Sequence, residues 1–202
     1  MTTATEATVF DEATEELAQS LVSVARRLFT ERGYRQTGFA DLAAAVGLSE
    51  GEAARLYPDK AAVFAALVER TVLVSGLLAG DLARGVDEEL PIRLARTYLS
   101  LWEPQDGEES PLVELYRVAL SDPEASRVLK DTVTDRLNGQ VDTEVPGPDP
   151  RFRTAAFGAH LGGLAFVRHL LGVEPLASKS LDEVLELVGP GLRHVLLGGE
   201  EG

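Results

Sequence analysis

No cysteine occurs in the 202-residue sequence, which removes disulfide frameworks, thiol catalysis and cysteine-ligated metals and fits a reducing cytoplasm. Long apolar runs are equally missing: none approaches the roughly 18 to 20 residues that span a bilayer. The N-terminal segment MTTATEATVFDEATEE has neither the basic stretch nor the apolar one that opens a secretory signal. The expectation is a soluble, cytoplasmic protein with no membrane partner. The three histidines, His160, His169 and His194, show no HxxxH or HExxH spacing, so neither a metal nor another cofactor is expected. A Gly-rich phosphate loop, a nucleophile elbow and a carboxylate pair set apart by its context are all absent, and enzyme chemistry is not expected. Positive charge is scarce too: 19 Lys and Arg against 33 Asp and Glu leave a net charge of −14. That balance argues against nonspecific binding of nucleic acid or anionic membrane by the chain as a whole.

What is present is helical periodicity, with no internal repeat and no competing strand pattern. Residues 1 to 10 are Thr- and Ala-rich and expected to be a disordered tail. A first helix is predicted from about Asp11 to Arg32, with Leu17, Leu21, Val24, Ala25 and Leu28 on one stripe and Gly33 as its stop. Between Thr37 and Lys60, in TGFADLAAAVGLSEGEAARLYPDK, Phe39, Leu42, Ala43 and Val46 recur at helical spacing before Gly47 breaks the pattern. Ser49 and Glu52 then match a capping box that starts a second short helix. Two short helices joined by a glycine turn make a helix-turn-helix, whose second helix normally enters the DNA major groove.

A fourth helix is predicted over about Lys60 to Leu82, with Val63, Phe64, Leu67, Val74 and Leu77 on its stripe. Further helices follow at about 91–102 and 111–120, and from Asp122-Pro123 to about Leu137. The Pro/Gly loop at 140–150 leads into a helix over Arg151 to Leu171. That helix is apolar nearly all round, the pattern of a helix buried on several sides. Ser180 and Glu183 form a second capping box for the last helix, which carries Leu185, Val188 and Leu192 on its stripe and Gly189-Pro190 as a kink signal. The whole reads as an all-α chain of about nine helices.

The flanks of the helix-turn-helix carry AxxLFxERGYxxT, made by Ala25, Leu28, Phe29, Glu31, Arg32, Gly33, Tyr34 and Thr37. Downstream stand Ala43, Gly47, Leu48, Ser49, Gly51, Tyr57, Lys60 and Val63. Over roughly residues 15 to 70 the sequence resembles the N-terminal domain of the TetR family of transcriptional repressors. The resemblance implies a helix-turn-helix head over 11–58 and an effector-binding and dimerisation body over 59–202. It also implies a ligand-responsive regulator, a repressor, that binds operator DNA as a homodimer. It places Thr37 where relatives cap the second helix and contact a phosphate, and Lys60 where a lysine meets the DNA backbone; Arg55 falls within the recognition helix. The DNA-facing set is then Thr37, Ser49, Glu50, Glu52, Arg55, Tyr57 and Lys60.

This recognition helix departs from its relatives. Glu50 stands where they usually carry Lys or Arg, Glu52 where they carry Thr or Ser, and Ala54 and Leu56 replace the tyrosine and histidine that bond phosphates. Glu52 has a local reason as the capping-box partner of Ser49, and Glu50 suits the positive end of the helix dipole. Charge is also unevenly spread: residues 20–70 hold seven basic and six acidic side chains, a balance of +1, and the remainder carries −15. The alternative is therefore a protein of the same fold whose degenerate head does not read DNA and which acts as a small-molecule sensor or a protein-interaction module.

By the same resemblance the body would hold an unidentified small effector between helices. The candidate lining is Tyr98, Trp102, Tyr116, Phe157, His160 and Leu164, although core packing is the simpler account of each. His160, alone in an apolar helix, would need a polar partner. The last two long helices resemble the family's dimer interface, for which Gly158, Gly162, Phe166, Leu185, Val188 and Leu192 are the candidates.

Overall fold

A computed structural model of the protein describes residues 3–73, 77–104, 107–133 and 139–198. Every regular element among them is helical. The chain divides into two compact units, one of Met1–Arg70 with Leu115–Lys130 and one of Thr71–Glu114 with Asp131–Gly202.

The first unit is built on α1 (Thr3–Arg32). Its helical backbone starts at Thr3 rather than near Asp11, and so takes in the stretch expected as a disordered tail. The physical reason is that no Pro or Gly precedes Gly33 to stop a helix. Leu21, Val22, Ala25, Leu28 and Phe29 are buried at spacings of one face, whereas Leu17 on the same stripe is 39% exposed. Gly33 ends the helix at a φ of +84°, its N–H donating to the Phe29 carbonyl at 2.9 Å. α2 (Phe39–Ala45) and α3 (Glu50–Leu56) follow, joined at Gly47, whose φ of +75° lets the Leu48 N–H return to the Ala43 carbonyl at 3.0 Å.

α4 (Lys60–Leu73) closes the unit, with Asp59 capping its start by accepting from the Ala62 N–H at 2.8 Å. Between α1 and α4, the rings of Phe29, Tyr34 and Phe64 pack together with centroids 5.2 to 5.6 Å apart. All three side chains are fully buried. Residues from α7 (Pro111–Ser121) and α8 (Pro123–Thr132) complete this unit. Asp122 caps α8 through the N–H groups of Glu124 and Ala125 at 2.9 and 3.3 Å, and it also accepts from Arg35 Nε at 3.2 Å. Burial works against its negative charge, but these bonds from Ala125, Arg35 and Glu124 prevail and hold the carboxyl below its usual range.

The fourth helix expected over 60–82 is found as α4 and α5 (Leu77–Ala83), with Val74 outside the described residues. The stretch from 134 to Leu137, expected to extend α8, lies outside them as well.

In the second unit α6 (Leu90–Ser100), α9 (Gly139–Asp142), α10 (Pro150–Ala165) and α11 (Leu181–Leu197) surround a core that includes Leu94, Leu99, Trp102, Phe157, Leu161, Leu185 and Leu196. α10 runs on into a π-helical turn over Phe166–Leu170. α11 remains one helix through Pro190 and starts at Ser180, whose hydroxyl accepts from the Glu183 N–H at 3.2 Å. The close approach of helices occurs at Gly189, where an added Cβ would lie 2.9 Å from Ile92 Cδ1 on α6. At Gly162 and Gly163 an added Cβ meets nothing within 4 Å. Within a single chain α10 is buried on one side only: Ala155, Gly158, Ala159, His160 and Gly163 are exposed along it.

Removing one ring of the aromatic trio leaves a cavity between α1 and α4. Phe64→Ala is expected to cost about 3 to 5 kcal/mol of unfolding free energy in urea. A loss under about 1 kcal/mol would show that the trio does not hold the head together.

Candidate nucleic-acid interface and body sites

α3 owes its start to Ser49. The Ser49 hydroxyl accepts from the Glu52 N–H at 3.3 Å, and the Glu52 carboxylate reaches back to the Ser49 N–H at 2.8 Å and the Ser49 hydroxyl at 2.6 Å. These bonds to the side chain and then the backbone of Ser49 hold the Glu52 carboxyl below its usual range. Ala53 is the buried residue of the helix. At 3.6 residues per turn, Gly51 and Arg55 both lie roughly 160° from Ala53, so they form the outward line. Both are exposed, as are Ala54 and Glu52 on either side and Glu50 in the first turn. Arg55 makes no hydrogen bond or ion pair among the described residues.

Thr37 is 0% exposed, and its hydroxyl donates to the carbonyls of Gly33 at 3.0 Å and Leu28 at 3.3 Å. A hydroxyl so buried reaches no phosphate, and the residue that caps α2 is Gly38, whose N–H donates to Asp41 at 2.8 Å. The part implied for Thr37 is thus corrected: it locks the turn after α1 from inside.

Lys60 is half-buried, with Nζ donating to the Tyr34 carbonyl at 3.0 Å and lying 4.0 Å from the centre of the Tyr34 ring. Two of its three N–H donors remain for other acceptors. Burial, aided by the nearby carboxylates of Glu124, Asp122 and Asp59, pushes the Tyr34 phenol far above its usual pKa. Tyr57 follows α3 as its C-cap, half-buried, its phenol also pushed up mainly by burial. Arg70 pairs with Glu15 at 3.0 Å, and Arg27 lies 3.6 Å from Glu31. The Arg35–Asp122 pair joins positions 87 residues apart, and no local signal in the sequence announces it.

Tyr98 and Trp102 lie 6.1 Å apart between ring centres, and Trp102, fully buried, stacks on His169 at 6.2 Å. Phe157 is buried in the second unit, whereas Tyr116 is half-buried in the first. His160 is exposed, and its Nδ1 donates to the Ala156 carbonyl at 2.7 Å, which leaves Nε2 as the acceptor of the neutral ring. It needs no interior partner, because the helix supplies one a turn away. With Leu164 it lines an open groove of about 540 Å³ between α10 and α11, closed on the other side by Leu187, Val188 and Gly191.

Around Trp102 two further polar residues gather that sequence reasoning did not single out. Arg168 is 7% exposed in the π-helical turn and donates to the Leu176 carbonyl at 2.9 Å and to Glu103 at 3.0 Å. His169 Nε2 lies 3.8 Å from the same Glu103 oxygen. Burial lowers the His169 pKa, and Glu103 only partly opposes the shift. No group of three His, Cys, Asp or Glu that could hold a metal ion occurs among the described residues.

Of the residues expected at a dimer interface, Gly158 is exposed and Gly162, Phe166 and Val188 are half-buried, but Leu185 and Leu192 are buried in the second unit's own core. The most exposed large apolar side chain there is Leu187, at 81%, which the predicted stripe of α11 leaves out.

Residues 21–67 match the family model described as bacterial regulatory proteins, tetR family, and residues 88–196 match that of the tetracyclin repressor-like C-terminal domain. No curated protein matches significantly. Among solved structures, a TetR-family regulator from Streptomyces coelicolor A3 is 22% identical, with a TM-score of 0.64 over 89% of this chain and 94% of that one. The flavonoid-responsive regulator FrrA is 22% identical, with a TM-score of 0.61 over 90% and 96%. A transcriptional regulator from Saccharomonospora viridis, solved in complex with choline, is 19% identical, with a TM-score of 0.56 over 89% and 97%.

Two measurements check the internal chemistry. Thr37→Val keeps the shape but removes the hydroxyl that bonds the carbonyls of Gly33 and Leu28, and it should cost the head about 1 to 2 kcal/mol of stability; an unchanged melting curve would return Thr37 to the surface. For His169 the folded pKa lies below the unfolded value near 6.5, so the unfolded state takes up the proton first as pH falls. The melting temperature should fall from pH 7.5 to 5.5, and His169→Asn should flatten that slope.

Proposed function

The chain belongs to the TetR family of bacterial regulatory proteins, and from that premise we propose that it is a ligand-responsive transcriptional repressor acting in the cytoplasm, which binds operator DNA as a homodimer. The observation that carries the DNA-binding part is the outward line of α3: Gly51 and Arg55 face solvent while the Glu52 carboxylate is folded back onto Ser49. A recognition helix needs donors toward base edges and phosphates. Arg55 supplies them there, with the half-buried Lys60 at the start of α4 as a backbone contact. Ser49, Glu50 and Tyr57 flank that surface.

Dimerisation is supported by the α10–α11 groove. Its apolar walls, with Leu187 standing out from one of them, suit the same two helices of a second copy related by a two-fold axis. Of the expected set, Val188 and Leu192 line that groove, and Gly158, Gly162 and Phe166 lie elsewhere on α10 and its π-helical turn, exposed or half-buried. The effector is a small molecule taken into the body near Tyr98 and Trp102. Its binding shifts the balance between dimer states whose heads do and do not match two half-sites.

One observation favours a second reading, a TetR-fold sensor whose head does not read DNA. Arg35, Lys60 and Arg70 of the head are engaged internally, and Glu50 stays exposed on the recognition helix.

Titrating the purified protein against DNA flanking its own coding region, by fluorescence anisotropy at two salt concentrations, separates the two. The repressor reading expects saturable binding that outcompetes random DNA, weakens steeply with salt and tightens in Glu50→Lys. If no fragment binds better than random DNA even at low salt, the reading is wrong and the sensor reading stands in its place.

A further inference from the structure

We infer that Arg55 reads a guanine in each operator half-site; this rests on the DNA-binding reading above and adds the base that is recognised.

Gly51 and Arg55 are four residues apart and therefore stacked on one face of α3. Helical side chains lean toward the N-terminus, and the surface ahead of Arg55 is open: Gly51 carries no side chain, and a Cβ built there would meet nothing within 4 Å.

The local competitor for Arg55 is Glu52, three residues earlier and on the same side. Its carboxylate already accepts two bonds from Ser49, at 2.8 and 2.6 Å. The attraction between Glu52 and Arg55 is the least of the influences on that carboxyl. Arg55 therefore remains exposed and without an ion pair among the described residues. A free, planar, forked donor on the outward line of a recognition helix matches the O6 and N7 acceptors that guanine presents in the major groove. Ala54 beside it adds only a methyl, so no second side chain contests that position. The other carboxylate, Glu50, sits in the first turn, about 60° from the buried Ala53 and so well off the outward line.

The experiment starts from the fragment bound most tightly by the wild-type protein and locates its half-sites by footprinting. Each protected guanine is then replaced in turn by 7-deazaguanine, which lacks the N7 acceptor. One such replacement per half-site should weaken the wild-type protein about tenfold or more, the range of a bidentate contact. Arg55→Ala should lose a similar factor on the natural site and no longer distinguish it from the substituted one.

The inference is overturned if no 7-deazaguanine position matters. It is overturned equally if Arg55→Ala weakens operator and random DNA alike while reducing the salt slope by about one per half-site, the behaviour of a phosphate contact. If the wild-type protein prefers no fragment over random DNA, the DNA-binding reading itself has failed and the inference falls with it, an outcome distinct from the other two. Unchanged melting of Arg55→Ala, expected for so exposed a side chain, confirms that the loss is one of recognition.

Discussion

The packing of Phe29, Tyr34 and Phe64 is the contact on which the head depends. Two of the rings belong to helices, α1 and α4, and the third to the turn between α1 and α2, so a single cluster fixes two long helices and the start of the helix-turn-helix. Lys60 reinforces it by donating to the Tyr34 carbonyl while lying over the Tyr34 ring, and Thr37 by closing on the carbonyls of Leu28 and Gly33. α2 and α3 add little core of their own, with Leu42, Ala43 and Ala53 as their buried residues. A short recognition helix is held in place by what lies beneath it, because isolated helices of this length are not stable in water.

That arrangement changes what the acidic recognition helix means. A carboxylate facing a phosphate backbone is repelled, but a carboxylate whose lone pairs accept the Ser49 N–H and hydroxyl is turned toward its own helix end and its charge is matched by the helix dipole. Glu52 therefore strengthens the element that presents Arg55. Glu50 makes no such bond among the described residues, and it sets the electrostatic difference between this head and one with a basic residue there. The low positive charge of the unit, with Arg35, Lys60 and Arg70 engaged internally, places more of any affinity on base contacts and less on counterion release than a basic head would.

Features with a local cause were legible in the sequence. The capping boxes at Ser49 and Ser180, the stop at Gly33, the glycine turn at Gly47 and the cap at Asp122 all appear where spacing and turn chemistry place them. Features that depend on phase or on distant partners were not. Thr37 looks like a surface hydroxyl until the carbonyls of Leu28 and Gly33 are seen to converge on it. Arg35 and Asp122 are 87 residues apart and share no pattern. The helix that holds His160 is apolar nearly all round, so its periodicity carries no phase from which an inward or outward histidine could be told. The start of α1 at Thr3 follows from the absence of a breaker, a signal weaker than the Thr- and Ala-rich composition that suggested a tail.

α11 shows how one helix serves two requirements. Leu185, Leu192 and Leu196 are spaced to fall on one side and are buried in the core, where Gly189 admits Ile92 of α6 to within 2.9 Å of an added Cβ. Leu187 and Gly191 fall well away from that side and, with Val188 and the edge of Leu192 between, wall the groove with α10. A stripe drawn through the most apolar positions merges the two sets and misses Leu187, because hydrophobicity alone does not separate burial within a chain from burial against another. The separation comes from the glycines and the small residues: Gly189 lies where a helix of the same chain is already in contact, and Gly163 and Gly191 lie where none is. Small residues opposite open space, on two adjacent helices, leave an apolar surface that this chain does not itself cover.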